Sequence, residues 1–425
     1  MKLQNFIKEI VIISIVLISQ GSVGQVPYER ILNASDEPQN WLTYNGGYMS
    51  QRYSLLDQIN RENVNQLELK WVLQNQVFGA WQSNPIIVDG VMYVTERPNS
   101  VMAVDAVTGR VYWKYRHQNA DNALVCCGAN NRGVAVLNDK VYMGTLDAHL
   151  VALDRVNGQL LWEAEVGDVN LAYSVTMAPL AVKDKILVGV GGGEFGIRGY
   201  VAAFNAETGE QAWKTYTIPG PGEANHDSWE GDDWEHGGAP VWITGSFDSD
   251  LNLTYWGVGN PGPDWNAGQR PGDNLYSDSA IALDADTGEL KWYFQFTPND
   301  AYDYDSVQVP VLADMEWRGE AKKVMMWANR NGYFYVLDRT NGQFLEGKPY
   351  VKVNWSSGLD ENGRPIPSPQ PEGMPTYPGN QGGTNWYPPS YSPSTGLFYF
   401  SAWENYATIY RAEESEYVPG RAFLG

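Results

Sequence analysis

One phrase recurs along the chain and constrains its fold more than any other feature. It reads VMAVDAVTGRVYW ending at Trp113, LVALDRVNGQLLW at Trp162, VAAFNAETGEQAW at Trp213 and AIALDADTGELKW at Trp292. A weaker copy, FYVLDRTNGQFLE, occupies 334–346. The glycines fall at 109, 158, 209, 288 and 342, in steps of 49, 51, 79 and 54 residues. Each copy is a short apolar strand, an Asp/Asn-x-x-(Thr/Asn)-Gly turn and a second strand that in four copies closes on tryptophan. Asp or Asn caps such a turn through its side chain, and Gly takes the positive φ without a steric cost. Hairpin-like stretches lie between the copies: NPIIVDGVMYV (84–94), GVAVLNDKVYMGT (133–145) and APLAVKDKILVGV (178–190). Every period of about 50 residues therefore carries four short strands, which is one blade of an all-β propeller.

The period is longer than a WD40 repeat and lacks its Trp-Asp ending. Helical signals are few; RENVNQLELKW (61–71) predicts one short helix before a strand. The 79-residue step contains an insertion, IPGPGEANHDSWEGDDWEHGG, rich in Gly and acidic residues. Loops inserted on one propeller face are where an active site is expected.

The chain has 425 residues, with 29 Lys plus Arg against 50 Asp plus Glu, a net charge of −21 that argues against a nucleic-acid face. At the N-terminus, Lys2 and Lys8 precede a short apolar run (10–18) and the small residues Ser22 and Gly24. This predicts a secretory signal peptide over 1–24, with an uncleaved anchor as the alternative. The run is about half the roughly 20 residues that span a bilayer, and no other stretch is long enough. The expected mature domain is 25–425, exported to an oxidising compartment.

The only two cysteines, Cys126 and Cys127, are neighbours in LVCCGANNRG. A disulfide between them would close almost no loop and so make a poor staple. Two buried thiols are the plain alternative.

The tryptophan repeat, together with CCGANNRGVA, GGGEFGIRGY, WGVGNPGP, TPNDAYDYDSVQ and NRNGYFYVLDRTNG, closely resembles the quinoprotein alcohol dehydrogenases. Their motifs run in the same order here from about Trp41 to about Trp403. The resemblance implies an eight-bladed periplasmic propeller that binds pyrroloquinoline quinone (PQQ) and one metal ion, with its last one or two blades incomplete in this chain. It implies that Cys126 and Cys127 form a disulfide lying flat on one face of the quinone, and that Trp242 covers the other. By the same likeness Arg132 binds a cofactor carboxylate, and Gln82, Thr145, Gly192, Gly193, Asn385 and Trp386 make further cofactor contacts. Gln82 stands where the family usually has Glu, so altered affinity is expected, and Tyr302 replaces a commoner Trp.

The resemblance places Glu194, the Asn260 amide, Asp303 and Asp305 on the metal. Oxygen donors of this kind suit a hard cation. Asp303 matches the catalytic base, and Arg330 an arginine that contacts the quinone oxygens and that Asp. Asp305 matches an additional carboxylate found in lanthanide-dependent members, and Gly193 the small residue that leaves room there. If 303–305 is extended, residues i and i+2 point to one side and both carboxylates reach one ion. A lanthanide is the favoured ion and calcium the alternative.

The implied activity is oxidation of a primary alcohol to an aldehyde, with a cytochrome c as electron acceptor, no integral membrane association and a homodimer as one possible assembly. Two other readings stand beside it: a non-catalytic propeller scaffold of the outer-membrane assembly type, and a quinoprotein dehydrogenase for sugars or polyols. DADTG (284–288) lacks the EF-hand spacing, GVGGGEFG follows no βαβ pattern, and no Cys-x-x-Cys-His is present for haem. His226 and His236 lack the partners a zinc site needs.

Overall fold

The computed structural model describes residues 24–425, so the expected leader, apart from Gly24, lies outside the described residues. Twenty strands form five four-stranded antiparallel sheets in simple meander order. The first blade is β1 (Ile86–Val88), β2 (Val91–Glu96), β3 (Ser100–Asp105) and β4 (Val111–Arg116). The second is β5 (Ala135–Leu137), β6 (Lys140–Gly144), β7 (His149–Asp154) and β8 (Leu160–Glu165). The third is β9 (Leu180–Val182), β10 (Lys185–Gly189), β11 (Tyr200–Asn205) and β12 (Gln211–Tyr216). The fourth is β13 (Ser246–Asp248), β14 (Leu253–Gly257), β15 (Ser279–Asp284) and β16 (Leu290–Gln295). The fifth is β17 (Val311–Trp317), β18 (Glu320–Ala328), β19 (Tyr333–Asp338) and β20 (Gln343–Pro349). Two hairpins follow, β21 (Ser356–Leu359) with β22 (Pro365–Pro367) and β23 (Ser390–Ser392) with β24 (Leu397–Tyr399). The expected total of eight blades continues to rest on the resemblance.

The repeated turn does two jobs. In the first copy, Asp105 Oδ1 accepts from the backbone N–H of Val107 and Thr108 at 2.9 Å, and Gly109 N donates to Asp105 O at 2.8 Å. The five repeat glycines all have φ between +74° and +77°. Each also lies under a tryptophan: a Cβ on Gly109, Gly158, Gly209, Gly288 or Gly342 would come within 2.5–2.8 Å of the ring of Trp71, Trp113, Trp162, Trp213 or Trp292. That tryptophan belongs to the preceding repeat, and its Nε1 donates to a backbone carbonyl beside the turn: Ala106, Arg155, Ala206, Ala285 or Arg339, at 3.1–3.3 Å. The motif is therefore a clasp between blades. It needs Gly for the left-handed turn and again for the close approach of the indole.

Burial follows position in the blade. β3 is buried along almost its whole length, whereas β4 and β8 alternate between exposed and half-buried residues, as outer strands wet on one face do. The largest buried cluster is rich in Val, Leu, Ile and Ala from the inner strands of the first four blades.

Residues 61–71 depart from expectation. Only a single 3₁₀ turn, Val64–Gln66, forms there, and no strand follows. Leu67, Leu69 and Val72 are exposed, because the alternating LELKWVL segment has no ladder partner among the described residues. Trp71 still docks on Gly109. The long 79-residue step also resolves into two excursions: one joins the third and fourth blades, and the other, 258–278, joins β14 to β15. No helix among the described residues is long and apolar enough to cross a membrane.

Candidate active site

The inner ends of the blades surround a cavity of about 270 Å³. Its walls include Gln82, Cys126, Cys127, Arg132, Gly192, Glu194, Trp242, Asp303, Asp305, Arg330, Asn385 and Trp386, all singled out by the sequence. A larger cleft, about 500 Å³, lies between the N-terminal segment and the fourth and fifth blades. It gathers no comparable set of reactive groups.

Cys126 and Cys127 form a disulfide on one wall. Cys127 Sγ lies 4.0 Å from Glu194 Oε1. Arg132 lies against two indoles, its guanidinium carbon 4.7 Å from the Trp242 ring centroid and 5.6 Å from that of Trp386. It donates to Thr176 Oγ1 at 2.8 Å, while its buried Nε has no hydrogen-bond partner. Burial lowers its pKa to about 10.

The segment carrying the two aspartates is not extended, which corrects the basis of the i, i+2 argument. Asp303 adopts the left-handed conformation (φ 58°), a region that Asp tolerates better than most residues. The turn is built by Asp300, whose Oδ1 accepts from Tyr302 N at 3.0 Å and Oδ2 from Tyr304 N at 2.8 Å. The carboxylates converge by another route. Arg330 donates from one terminal nitrogen to Asp303 Oδ2 at 2.8 Å and from the other to Asp305 Oδ2 at 2.6 Å. Its Nε donates to Asn380 O at 3.0 Å, which fixes the fork. Asp305 Oδ1 accepts from Trp242 Nε1 at 3.2 Å and Asn260 N at 3.0 Å.

Glu194 sits in a 3₁₀ turn, Gly193–Phe195, entered from Gly192 at φ 121°. A Cβ at Gly192 would meet the Ala172 carbonyl oxygen at 2.5 Å, so this approach requires Gly. A Cβ at Gly193 would strike the Pro240 ring at 2.9 Å, so the room that Gly193 provides is room for Pro240. The acidic insertion does not line the cavity itself. It supports the loops that carry Glu194 and Asn260 from behind: Gly238 N donates to Ile197 O, and Gly262 N to Gly237 O.

Three expected residues stand back from the cavity wall: Gly193, which packs against Pro240, Asn260 and Thr145. Asn260 is buried beneath it, beside Asp264. Thr145 is not brought to the cavity: its hydroxyl donates to Asp147 Oδ1 at 2.6 Å, and Thr176 occupies the wall beside Arg132.

The sequence reading missed a set of acidic groups behind the site. Asp264 and Asp278 are buried with carboxylate oxygens that lack any partner. Burial pushes both well above the usual carboxylate range, helped by Glu194 and Asp305 for Asp264 and by Asp300 and Asp305 for Asp278. Burial also raises Glu194 to about 7 and Asp300 to about 6, and it raises Asp303 against the pull of Arg330. Among the described residues, the guanidiniums set against this cluster are Arg330, Arg132 and the fully buried Arg270. Asp264 follows Asn260 by four residues in NPGPD, and that adjacency was the available signal.

These features fit both groups that the resemblance implies. The surplus of buried carboxylate, with amide and backbone donors around it, is the donor set of a hard multivalent cation. A cavity lined by a disulfide and an indole, with buried unpartnered atoms at Arg132 Nε, Gln82 Oε1 and Asn130 Oδ1, suits a flat ligand carrying carboxylates and carbonyls.

Residues 41–355 match the PQQ family of glucose/ethanol/alcohol dehydrogenase β-propeller domains. The chain is 40% identical to the quinoprotein alcohol dehydrogenase PedH of Pseudomonas putida, over 97% of this chain and 74% of PedH. It is 41% identical to the dehydrogenase subunit of the alcohol dehydrogenase (quinone) of Komagataeibacter europaeus, over 90% of this chain and 56% of that subunit. The chain thus spans little more than half of that relative's length. Among solved structures, a europium-containing methanol dehydrogenase superposes with a TM-score of 0.87 at 36% identity, covering 93% of this chain and 74% of that one.

Proposed function

Because the chain belongs to the PQQ glucose/ethanol/alcohol dehydrogenase β-propeller family, we propose that it oxidises primary alcohols to aldehydes with PQQ and a lanthanide ion. The observation that carries the reading is the Arg330 fork, which holds Asp303 and Asp305 on the wall of a cavity whose other walls are the Cys126–Cys127 disulfide and Trp242. Glu194, Asn260, Asp303 and Asp305 hold the cation, and Cys126, Cys127, Trp242, Arg132, Gln82, Gly192, Asn385 and Trp386 surround the quinone. When bound, the quinone supplies a hydride acceptor and the cation a Lewis acid.

The chain's own part is placement and proton transfer. Asp303 accepts the alcohol's hydroxyl proton at the oxygen not engaged by Arg330. Arg330 opposes the burial that raises Asp303, favouring and aiming its carboxylate form, and it stabilises negative charge developing beside it. Arg132 pairs with a cofactor carboxylate, which its planar fork suits better than an ammonium would. The choice of a lanthanide rests on Asp305, since a trivalent ion compensates one more carboxylate better than calcium does. Its relatives include a lanthanide-dependent methanol dehydrogenase of Methylacidiphilum fumariolicum. Export to the periplasm and electron transfer to a cytochrome c complete the proposal.

The test is dye-linked alcohol oxidation by PQQ-reconstituted protein with lanthanum or cerium against calcium. Activity confined to the lanthanides supports the assignment, activity with calcium alone contradicts the role of Asp305, and inactivity of quinone-loaded protein with both contradicts the enzyme reading.

A further inference from the structure

A second cluster of ligand-type side chains lies away from the cavity, on the seam between the first and second blades. His117 is the first residue past the end of β4, His149 opens β7, and Glu163 lies in β8. The β7–β8 register pairs His149 with Glu165 and Val151 with Glu163, which puts Glu163 diagonally across from His149. One ligand atom from each of His117, His149 and Glu163 lies within 4.8 Å of the other two. His149 Nε2 is 4.0 Å from Glu163 Oε1, and His149 Nδ1, buried without a hydrogen bond, lies 3.7 Å from Asp147 Oδ1.

Beneath them Asp147 is held fast. Its carboxylate accepts from Thr145 Oγ1 at 2.6 Å and from Ala120 N at 2.9 Å, and its two oxygens lie 3.0 and 3.1 Å from His117 Nε2. An imidazole pinned at one nitrogen by a fixed carboxylate has its tautomer and ring orientation set for ligation at the other.

The repeat itself shows that this grouping is not inherited from the blade pattern. The residue after the docking tryptophan is Lys114, Glu163, Lys214 and Tyr293 in the first four blades, and the residue four after it is His117, Val166, Thr217 and Phe296. The residue that opens the third strand is Ser100, His149, Tyr200, Ser279 and Tyr333. Metal-ligating types coincide only at the seam of blades one and two.

We propose that His117, His149 and Glu163 bind a divalent transition-metal ion of the zinc class, clamping the first blade to the second, with Asp147 as the positioning residue for His117. Two imidazoles and one carboxylate suit a borderline ion, whereas calcium and lanthanides prefer all-oxygen sets. Around tetrahedral zinc, with bonds of about 2.1 Å, ligand atoms stand roughly 3.5 Å apart. Closing from 4.8 Å needs only modest side-chain rotation. Three protein ligands leave a fourth position for water. The site is independent of the quinone cavity and of the activity proposed there.

The test uses untagged full-length protein, stripped with chelator and titrated with ZnCl₂ by calorimetry, and with CoCl₂ by visible absorption. The expected result is one tight Zn²⁺ equivalent, a Co²⁺ ligand-field band, and a thermal midpoint that rises with Zn²⁺. His117→Ala and His149→Ala each weaken binding at least about 10-fold and abolish the band, and Asp147→Asn weakens binding with the band shifted. Glu163→Gln, a half-exposed and conservative change, gives a folded variant that also binds at least about 10-fold more weakly. Absence of Zn²⁺ binding by the wild type overturns the proposal. So does equal affinity in the wild type and the Glu163→Gln and His149→Ala variants, which would place the ion on other groups.

Discussion

The inter-blade clasp makes a quantitative prediction at Trp162 and Gly209. In Gly209→Ala the new side chain would have to adopt φ near +75°, costing about 1–2 kcal/mol for a residue with a Cβ. That Cβ would also stand 2.8 Å from the Trp162 ring, too close for a rigid indole. The ring must move, and with it goes the bond from Nε1 to Ala206 O at 3.2 Å, worth about 0.5–1.5 kcal/mol, together with part of the indole's contact area. Gly209→Ala is therefore expected to cost about 2–4 kcal/mol. Trp162 is half-buried, so Trp162→Ala is expected to cost about 2–3 kcal/mol, below the roughly 3–5 kcal/mol typical of fully buried aromatics. Once the indole is gone, the methyl group added at position 209 meets no ring, and only its backbone cost remains. The double variant should then be destabilised by about 3–5 kcal/mol, leaving a coupling of about 1–2 kcal/mol. Urea unfolding followed by circular dichroism, with unchanged m-values, measures all four proteins. Additivity within about 0.5 kcal/mol would refute the clasp.

Three further outcomes follow from the geometry. Cys126→Ser with Cys127→Ser should leave the unfolding midpoint nearly unchanged, because the bond closes no loop, yet weaken PQQ binding at least about 10-fold in a fluorescence-quenching titration. Arg330→Lys keeps the charge but loses the fork to Asp303 and Asp305, so kcat should fall roughly 100-fold, with a smaller change in KM, in steady-state assays. At the N-terminus, hydrogen bonds from Arg30 lower the pKa values of Glu37 and Asp89. Folded values below the unfolded ones mean that this tether is fully present above about pH 4.5 and is lost as pH falls through the depressed folded values. Hydrogen exchange of the Tyr28–Leu32 helix should accelerate as pH drops below about 4, after correction for intrinsic rates, and Arg30→Ala should remove that pH dependence.

The blades were legible because their signal is local and repeated. Strand, capped turn, Gly and Trp recur within a dozen residues, and each has a physical reason to be there. What each tryptophan touches was less legible, since its partner Gly lies about 40 to 75 residues downstream, in the next blade. For that reason Trp71 went unnoticed as the first clasp. The segment 67–73 alternates like a strand, but alternation gives a strand only where a neighbour supplies the ladder.

At the site, residue types and order single out Cys126, Cys127, Arg132, Glu194, Trp242, Asp303, Asp305 and Arg330, and the structure brings them around one cavity. The reason given for the Asp303–Asp305 pair was wrong: a left-handed Asp303 and a bidentate arginine bring the carboxylates together, and no strand does. Thr145 was misplaced because Thr145 and Thr176 are both threonines near strand ends, and only packing decides which one meets Arg132. Asp264 and Asp278 were missed because an isolated Asp in a Gly- and Pro-rich stretch reads as a turn former. Burial without a partner is visible only in three dimensions. The His117, His149 and Glu163 cluster was hidden for the same reason, its members being separated in sequence and brought together across a blade seam.

The central claim is that one cation sits among Glu194, Asn260, Asp303 and Asp305 beneath a quinone held between the disulfide and Trp242. Diffraction from crystals grown with PQQ and cerium, recorded where cerium scatters anomalously, tests it directly. The account predicts a single strong anomalous peak bounded by those four side chains, with planar density between Cys126–Cys127 and the Trp242 indole. A cerium peak elsewhere, or planar density outside that slot, would contradict it.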